Sequence, residues 1–158
     1  MAFANGLLIN DNLKKKFPNI KIRVPKIFSI ATNEFDNFME TNNLWDMALG
    51  NFSNKKIEEK FIDGKLSKKL IKNLEKIIQE ITFPLAVRSS SLLEDSQYQP
   101  LAGMYSTYML PNSHINNNER LNQLCETIKR IYASTFFQGP KSLMDNIIHR
   151  HEEEKMGV

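Results

Sequence analysis

Pro84-Leu85-Ala86-Val87-Arg88-Ser89-Ser90-Ser91-Leu92-Leu93-Glu94-Asp95 and, a few residues on, Pro100-Leu101-Ala102-Gly103-Met104-Tyr105-Ser106-Thr107-Tyr108-Met109-Leu110 frame the most informative part of this 158-residue chain. The first apolar run, opened by Pro84, reads as a strand that ends in serines. The second, from Met104 to Leu110, has the β-branched and aromatic content of a strand, and residues 91–103 form the loop between them. An arginine at the end of a strand, followed by three serines, places a planar cation and several hydroxyl donors at one sheet edge. Phosphate oxygens need that kind of surface, because a guanidinium donates two parallel hydrogen bonds to them. Small residues at Ala102 and Gly103 let backbone approach a ligand closely. A serine-rich turn without a ligand has the same composition, so the pattern alone leaves both readings open.

Helical periodicity surrounds this segment. Before it, Leu70, Ile71, Leu74, Ile77, Ile78 and Ile81 follow i, i+3, i+4 spacing after a Ser67 cap, with lysines and glutamates on the other, solvated face. Ser53 offers a second cap ahead of Ile57, Phe61 and Ile62, with Gly64 as the stop, and Leu44 to Leu49 reads as a short turn ended by Gly50. Thr32 or Asn33 caps a helix carrying Phe35, Phe38 and Met39, which Asn42-Asn43 breaks. Further back, Ile20, Ile22 and Val24 alternate with Lys21 and Arg23 as a half-buried strand does, and residues 26–30 resume an extended run after Pro25. Phe3, Leu7 and Leu8 belong to a first helix closed by Lys14-Lys15-Lys16, where positive charge suits a helix C-terminus. After the segment, Leu121, Leu124, Ile128, Ile131, Tyr132 and Phe136 give a long helix ended by Gly139-Pro140. Leu143, Met144, Ile147 and Ile148 mark a shorter last one. Helices with two or more pairs of strands imply an α+β domain, or part of one completed by residues outside the sequence. Met1 leads into a helix without a cap, and the last residues stop as an apolar segment begins, so the chain is expected to be a piece of a longer protein.

With 41% hydrophobic residues the chain can bury a real core as one domain. A net charge of +3 falls short of the clustered positive surface of a dedicated nucleic-acid binder, although the lysine-rich helix over 65–76 keeps that rival reading in view. The single cysteine, Cys125, cannot form an internal disulfide and lies at helical spacing from Leu121, Leu124 and Ile128, as a small core residue does. No stretch approaches the ~18 apolar residues of a membrane span and no leader pattern opens the chain. A soluble, cytoplasmic protein with neither nucleic-acid nor membrane partners is expected, and its oligomeric state stays open.

The run over residues 84–110 resembles the signature region of the nucleotide-binding domain of the pyruvate phosphate dikinase and phosphoenolpyruvate synthase family. There an apolar residue, arginine and serine are followed by an acidic turn and a glycine-containing loop; here these are Val87-Arg88-Ser89-Ser90, Glu94-Asp95, Ala102-Gly103 and Thr107. Residues 24–32, followed by Phe35 and Phe38, resemble the segment that precedes it in the family. The resemblance implies a partial ATP-grasp-like domain over 1–158, helix-rich with short, mostly antiparallel strands. Residues 1–110 would be its first part, with the phosphate-binding loop, and 111–158 a helical part. It further implies that ATP and Mg²⁺ are bound and that Arg88 and Ser89 contact phosphates. Gly103, Met104 and Tyr105 would close over those phosphates, and Arg130 would reach them from the following helix. Full-length relatives phosphorylate a histidine with ATP and pass the phosphoryl group to pyruvate, giving phosphoenolpyruvate, in other domains. Arg130 beside Lys129 also reads as an ordinary surface arginine, and Glu94 and Asp95 as ordinary turn carboxylates.

Two features depart from that pattern. The family's Gly-Gly-Lys segment at the first helix is absent, since Gly6 is followed by no lysine before Lys14. His114, His149 and His151 lack the Thr-Ser-His context of the phosphocarrier histidine. His149 and His151 with Glu152, Glu153 and Glu154 match no closed zinc spacing, so no metal site is assigned to this tail and no catalytic residue is assigned within the chain.

Overall fold

A computed structural model describes residues 6, 13–20, 24–91, 105–144 and 155–158. Its elements are α1 (Leu13–Lys16), α2 (Thr32–Thr41), α3 (Trp45–Leu49), α4 (Asn54–Asp63), α5 (Lys68–Glu80), β1 (Leu85–Arg88), β2 (Thr107–Leu110), α6 (Asn117–Ser134) and α7 (Gln138–Met144). The α+β, helix-rich reading holds, with one antiparallel strand pair among the described residues rather than two or more.

The helices form where side chains satisfy their exposed ends and one stripe is buried. Ser67 accepts from the Leu70 amide at 3.0 Å and donates to Glu34 at 2.8 Å, so it starts α5 and ties it to the first turn of α2. Leu70, Leu74 and Ile78 bury the i, i+4 stripe of α5, each stabilising the fold by roughly 1.5–3 kcal/mol. Ser53 caps α4, and the ammonium of Lys129 donates to the Ile62 and Gly64 carbonyls at its other end. Gly64 is small because it must be: an added Cβ would lie 2.7 Å from the Phe38 ring and 3.0 Å from the Phe61 carbonyl. Asn43 takes a left-handed φ of 51° behind α2, as the Asn42-Asn43 break predicts. Asn42 itself clamps the α2 end to Lys65, accepting from its amide at 2.8 Å and donating to its carbonyl at 3.0 Å.

The longest helix, α6, is the organising element. It packs on α4 and α5 and touches both strands. Its Tyr132 meets Phe35 edge-on at 5.1 Å and Phe38 at 5.5 Å, while Phe61 and Trp45 both contact Phe136 just beyond its end. Such pairs contribute about 0.5–1.5 kcal/mol each beyond their burial. Cys125 is half-buried against this core, in line with its spacing.

Several boundaries differ from the sequence reading. Helix α2 starts at Thr32 behind Ala31, without a side-chain cap. Helix α6 begins at Asn117 because Asn116 accepts from the Asn118 amide, four residues before the first apolar position that announces it. Gly139-Pro140 does not stop a helix but lies in the first turn of α7, where the missing amide of a proline costs no bond. Residues 24–30 are extended and, among the described residues, join no strand ladder; there Ile30 alone is paired, with Val158. Most of the first helix, residues 21–23, and the helix over Ile147 and Ile148 lie outside the described residues.

Candidate functional site

The register of the ribbon is Leu85↔Leu110, Ala86↔Met109, Val87↔Tyr108 and Arg88↔Thr107. Side chains alternate between faces, so Leu85, Val87, Tyr108 and Leu110 form one face and Ala86, Arg88, Thr107 and Met109 the other. The first set packs toward the core, and Arg88, Thr107 and Met109 are exposed. Arg88 therefore ends β1 with its guanidinium on the open face, and among the described residues it has no hydrogen-bonded or ionic partner. Next to it Ser89 is buried, and Ser90 exchanges backbone bonds with Gly157.

Two residues that the sequence reading did not single out hold this ribbon in place. Asn112, buried at a left-handed φ of 52°, donates to the Ile81 and Phe83 carbonyls, both at 2.9 Å. Arg120, 6% exposed, donates to Asn112 Oδ1 at 2.8 Å, to Asn117 Oδ1 at 2.8 Å, to the Ile78 carbonyl at 2.9 Å and to the Ile81 carbonyl. One guanidinium thus satisfies the unpaired carbonyls at the end of α5 and fastens the entry to β1 to the exit from β2. The available signal was Asn112 after Pro111, a turn pair, and an arginine three positions into the following helix.

Arg130 lies differently from Arg88. It projects from α6, which packs on α4 and α5 and touches both strands. Its Nε and Nη2 donate to Glu126 Oε1 at 3.2 and 2.7 Å, and Nη1 pairs with Glu58 of α4. The Glu126 hydrogen bond pushes its pKa further above the ordinary arginine value, against partial burial, with the Glu58 charge adding to the rise. Tyr105 is buried in the core, and the adjoining Ser106 amide is pinned to Ser134 Oγ at 3.4 Å. Gly103, Met104, Glu94, Asp95, His149 and His151 lie outside the described residues. Among the described residues no three metal-ligating side chains cluster, and no helix is long and apolar enough to cross a membrane.

A shallow concavity lined by Leu110, Pro111, Ser113, His114, Ile115 and Gln123 opens at the far end of β2 from Thr107, the residue opposite Arg88, and includes none of these site residues.

An exposed, unpaired guanidinium at a strand end, with serines behind it and the strand held by a buried polar network, is an arrangement able to receive an anionic oxygen group. Comparison with known proteins agrees with the chemistry. The "Uncharacterized phosphotransferase YvkC" of Bacillus subtilis (strain 168) is 29% identical over 161 residues, covering all of this chain and 17% of that relative. The chain thus spans about a sixth of the curated relative it matches, and no solved structure matches it. Residues 10–158 match the family described as pyruvate phosphate dikinase, AMP/ATP-binding domain, and since that is nearly the whole sequence, the chain belongs to this family.

Proposed function

We propose that the chain is the ATP-binding portion of a phosphotransferase that resembles phosphoenolpyruvate synthase and pyruvate phosphate dikinase. The observation that carries the proposal is Arg88, a cation on the open face of β1 without a partner among the described residues, inside a segment that belongs to an AMP/ATP-binding family. In this reading Arg88 donates its fork to nucleotide phosphate oxygens and Ser89 shapes the turn behind it. Gly103 and Met104 would cover the phosphates next to Tyr105, whose own ring is held in the core, and Arg130 would contribute once a phosphate draws it from Glu58 and Glu126. When bound, ATP would supply the phosphoryl group, and an accompanying Mg²⁺ would offset phosphate charge. The chain's own part is to position the phosphates and neutralise charge. Histidine phosphorylation and transfer to pyruvate belong to other parts of a longer protein.

A second reading is a non-catalytic nucleotide-binding or regulatory module that keeps the fold without phosphotransfer. Pyruvate-dependent ATP turnover by the longer protein separates the two, since only the enzyme reading expects it.

Calorimetric titration of Mg-ATP into the chain and into Arg88→Ala, with folding checked by circular dichroism, tests the proposal. Loss of charge-assisted hydrogen bonds predicts weaker binding by about 1.5–3 kcal/mol, roughly tenfold or more. Equal affinity of the two folded proteins would remove Arg88 from the site.

A further inference from the structure

Residues 155–158 are far from Arg88 in sequence and close to its strand in the fold. Gly157 and Ser90 exchange both backbone hydrogen bonds, at 2.9 and 2.8 Å, as an antiparallel bridge. Val158 and Ile30 exchange theirs at 2.6 and 3.1 Å. Successive residues of an extended segment aim their N–H and C=O groups at opposite edges, so Gly157 and Val158 each bond a different neighbour. Side chains hold the same segment. Met156 is fully buried in the core, and Lys155 Nζ donates to Asp36 Oδ2 of α2 at 2.6 Å. Residues 155–158 are therefore a clamp that joins the end of β1 to the residues leading into α2.

Arg88 sits between two anchors. Ser90 turns its backbone groups toward Gly157, and by the same alternation Val87 turns its own toward β2, where it faces Tyr108. No side chain among the described residues holds the Arg88 guanidinium, so its aim follows from the backbone beneath it. Gly157 is what permits the second anchor. An added Cβ would lie 3.2 Å from the Ser90 carbonyl oxygen and 3.3 Å from that of Ile30, so both neighbours would have to give way.

We infer that Gly157 is a positioning residue for Arg88: its missing side chain lets residues 155–158 clamp Ser90, and the clamp aims the guanidinium at nucleotide phosphates. The inference rests on the nucleotide-binding reading of Arg88. A misaimed fork keeps its charge but loses one or both of its parallel hydrogen bonds.

The test is a double-mutant cycle on Mg-ATP affinity, measured by calorimetry on wild type, Gly157→Ala, Arg88→Ala and the double variant, with folding checked by circular dichroism. Gly157→Ala is expected to weaken binding about threefold or more on its own and to change nothing when Arg88→Ala is already present, because it acts through Arg88. Amide exchange at Ser90 should quicken about tenfold or more in Gly157→Ala while α6 amides keep their protection. Lys155→Ala, which removes a part-exposed ion pair and no buried group, should act in the same direction by about twofold, and it carries the test if Gly157→Ala does not fold. Unchanged affinity in the folded variants, or an equal loss with and without Arg88, would overturn the inference and leave the nucleotide reading standing. A folded wild type that binds Mg-ATP no tighter than Arg88→Ala does would overturn that reading and the inference with it.

Discussion

Replacing Arg120 by leucine removes the fork that joins α5, the turn at Asn112 and the start of α6. The bonds lost go to Asn112 Oδ1, Asn117 Oδ1 and the Ile78 and Ile81 carbonyls. Their loss is not uniform. Ile81 retains the Asn112 amide as a donor, and Asn117 is exposed and regains water. The Ile78 carbonyl and Asn112 Oδ1 lose their protein donors beneath a 6% exposed side chain. Two orphaned acceptors at about 1–3 kcal/mol each predict a loss of roughly 2–6 kcal/mol, lowered by the relief of no longer burying a charge, for a net of about 3 kcal/mol. Against a total stability of about 5–15 kcal/mol this is large. With a urea m-value of about 2 kcal/mol/M, the unfolding midpoint should fall by roughly 1.5 M at unchanged m. Arg120→Lys, which keeps the charge without the planar fork, should fall between wild type and leucine. A loss below about 1 kcal/mol in Arg120→Leu at unchanged m would refute the view that this network holds the ribbon.

Tyr132 is fully buried with a hydroxyl that has no hydrogen-bond partner among the described residues, so Tyr132→Phe should leave stability unchanged or raise it by about 1 kcal/mol in thermal or urea unfolding. Burial, and secondarily the Glu34 charge, holds its pKa above the ordinary tyrosine value. The neutral phenol's contribution is then fully present below pH ~10 and lost as pH rises toward the folded value, so wild type should lose stability above pH ~10 more steeply than the phenylalanine variant. For Cys125, burial pushes the thiol pKa up, with Lys129 acting in the opposite sense. Alkylation by iodoacetamide at pH 8 should therefore be about tenfold or more slower in the folded chain than in urea, and equal rates would contradict the half-buried placement.

Most of the helical framework was legible because each cue is local. Ser53 and Ser67 each bond an amide three residues on, Leu70, Leu74 and Ile78 repeat on one face, and Asn43 permits the left-handed turn that ends α2. The extended run over 26–30 has the composition of a strand, but a strand needs neighbours, and among the described residues only Ile30 meets one. Gly139-Pro140 signals a stop at a helix end and a permitted start in a first turn, and the dipeptide cannot distinguish them.

The candidate site shows the same division between local and distant information. Arg88 and Arg130 are the same residue type, and the family pattern directs both at phosphate. Their surroundings differ because of residues far off in the sequence. Across the ribbon Arg88 meets Thr107, a neutral residue, and stays unpaired. Arg130 meets Glu58, 72 positions away on α4, and Glu126 one turn behind it. Two carboxylates around one guanidinium leave that cluster net negative, so a phosphate approaching Arg130 must first displace like-charged groups, whereas among the described residues no carboxylate pairs with Arg88. Arg88→Ala should accordingly weaken Mg-ATP binding more than Arg130→Ala does. The larger effect from Arg130 would mean that the ligand rearranges the α4–α6 contact on binding.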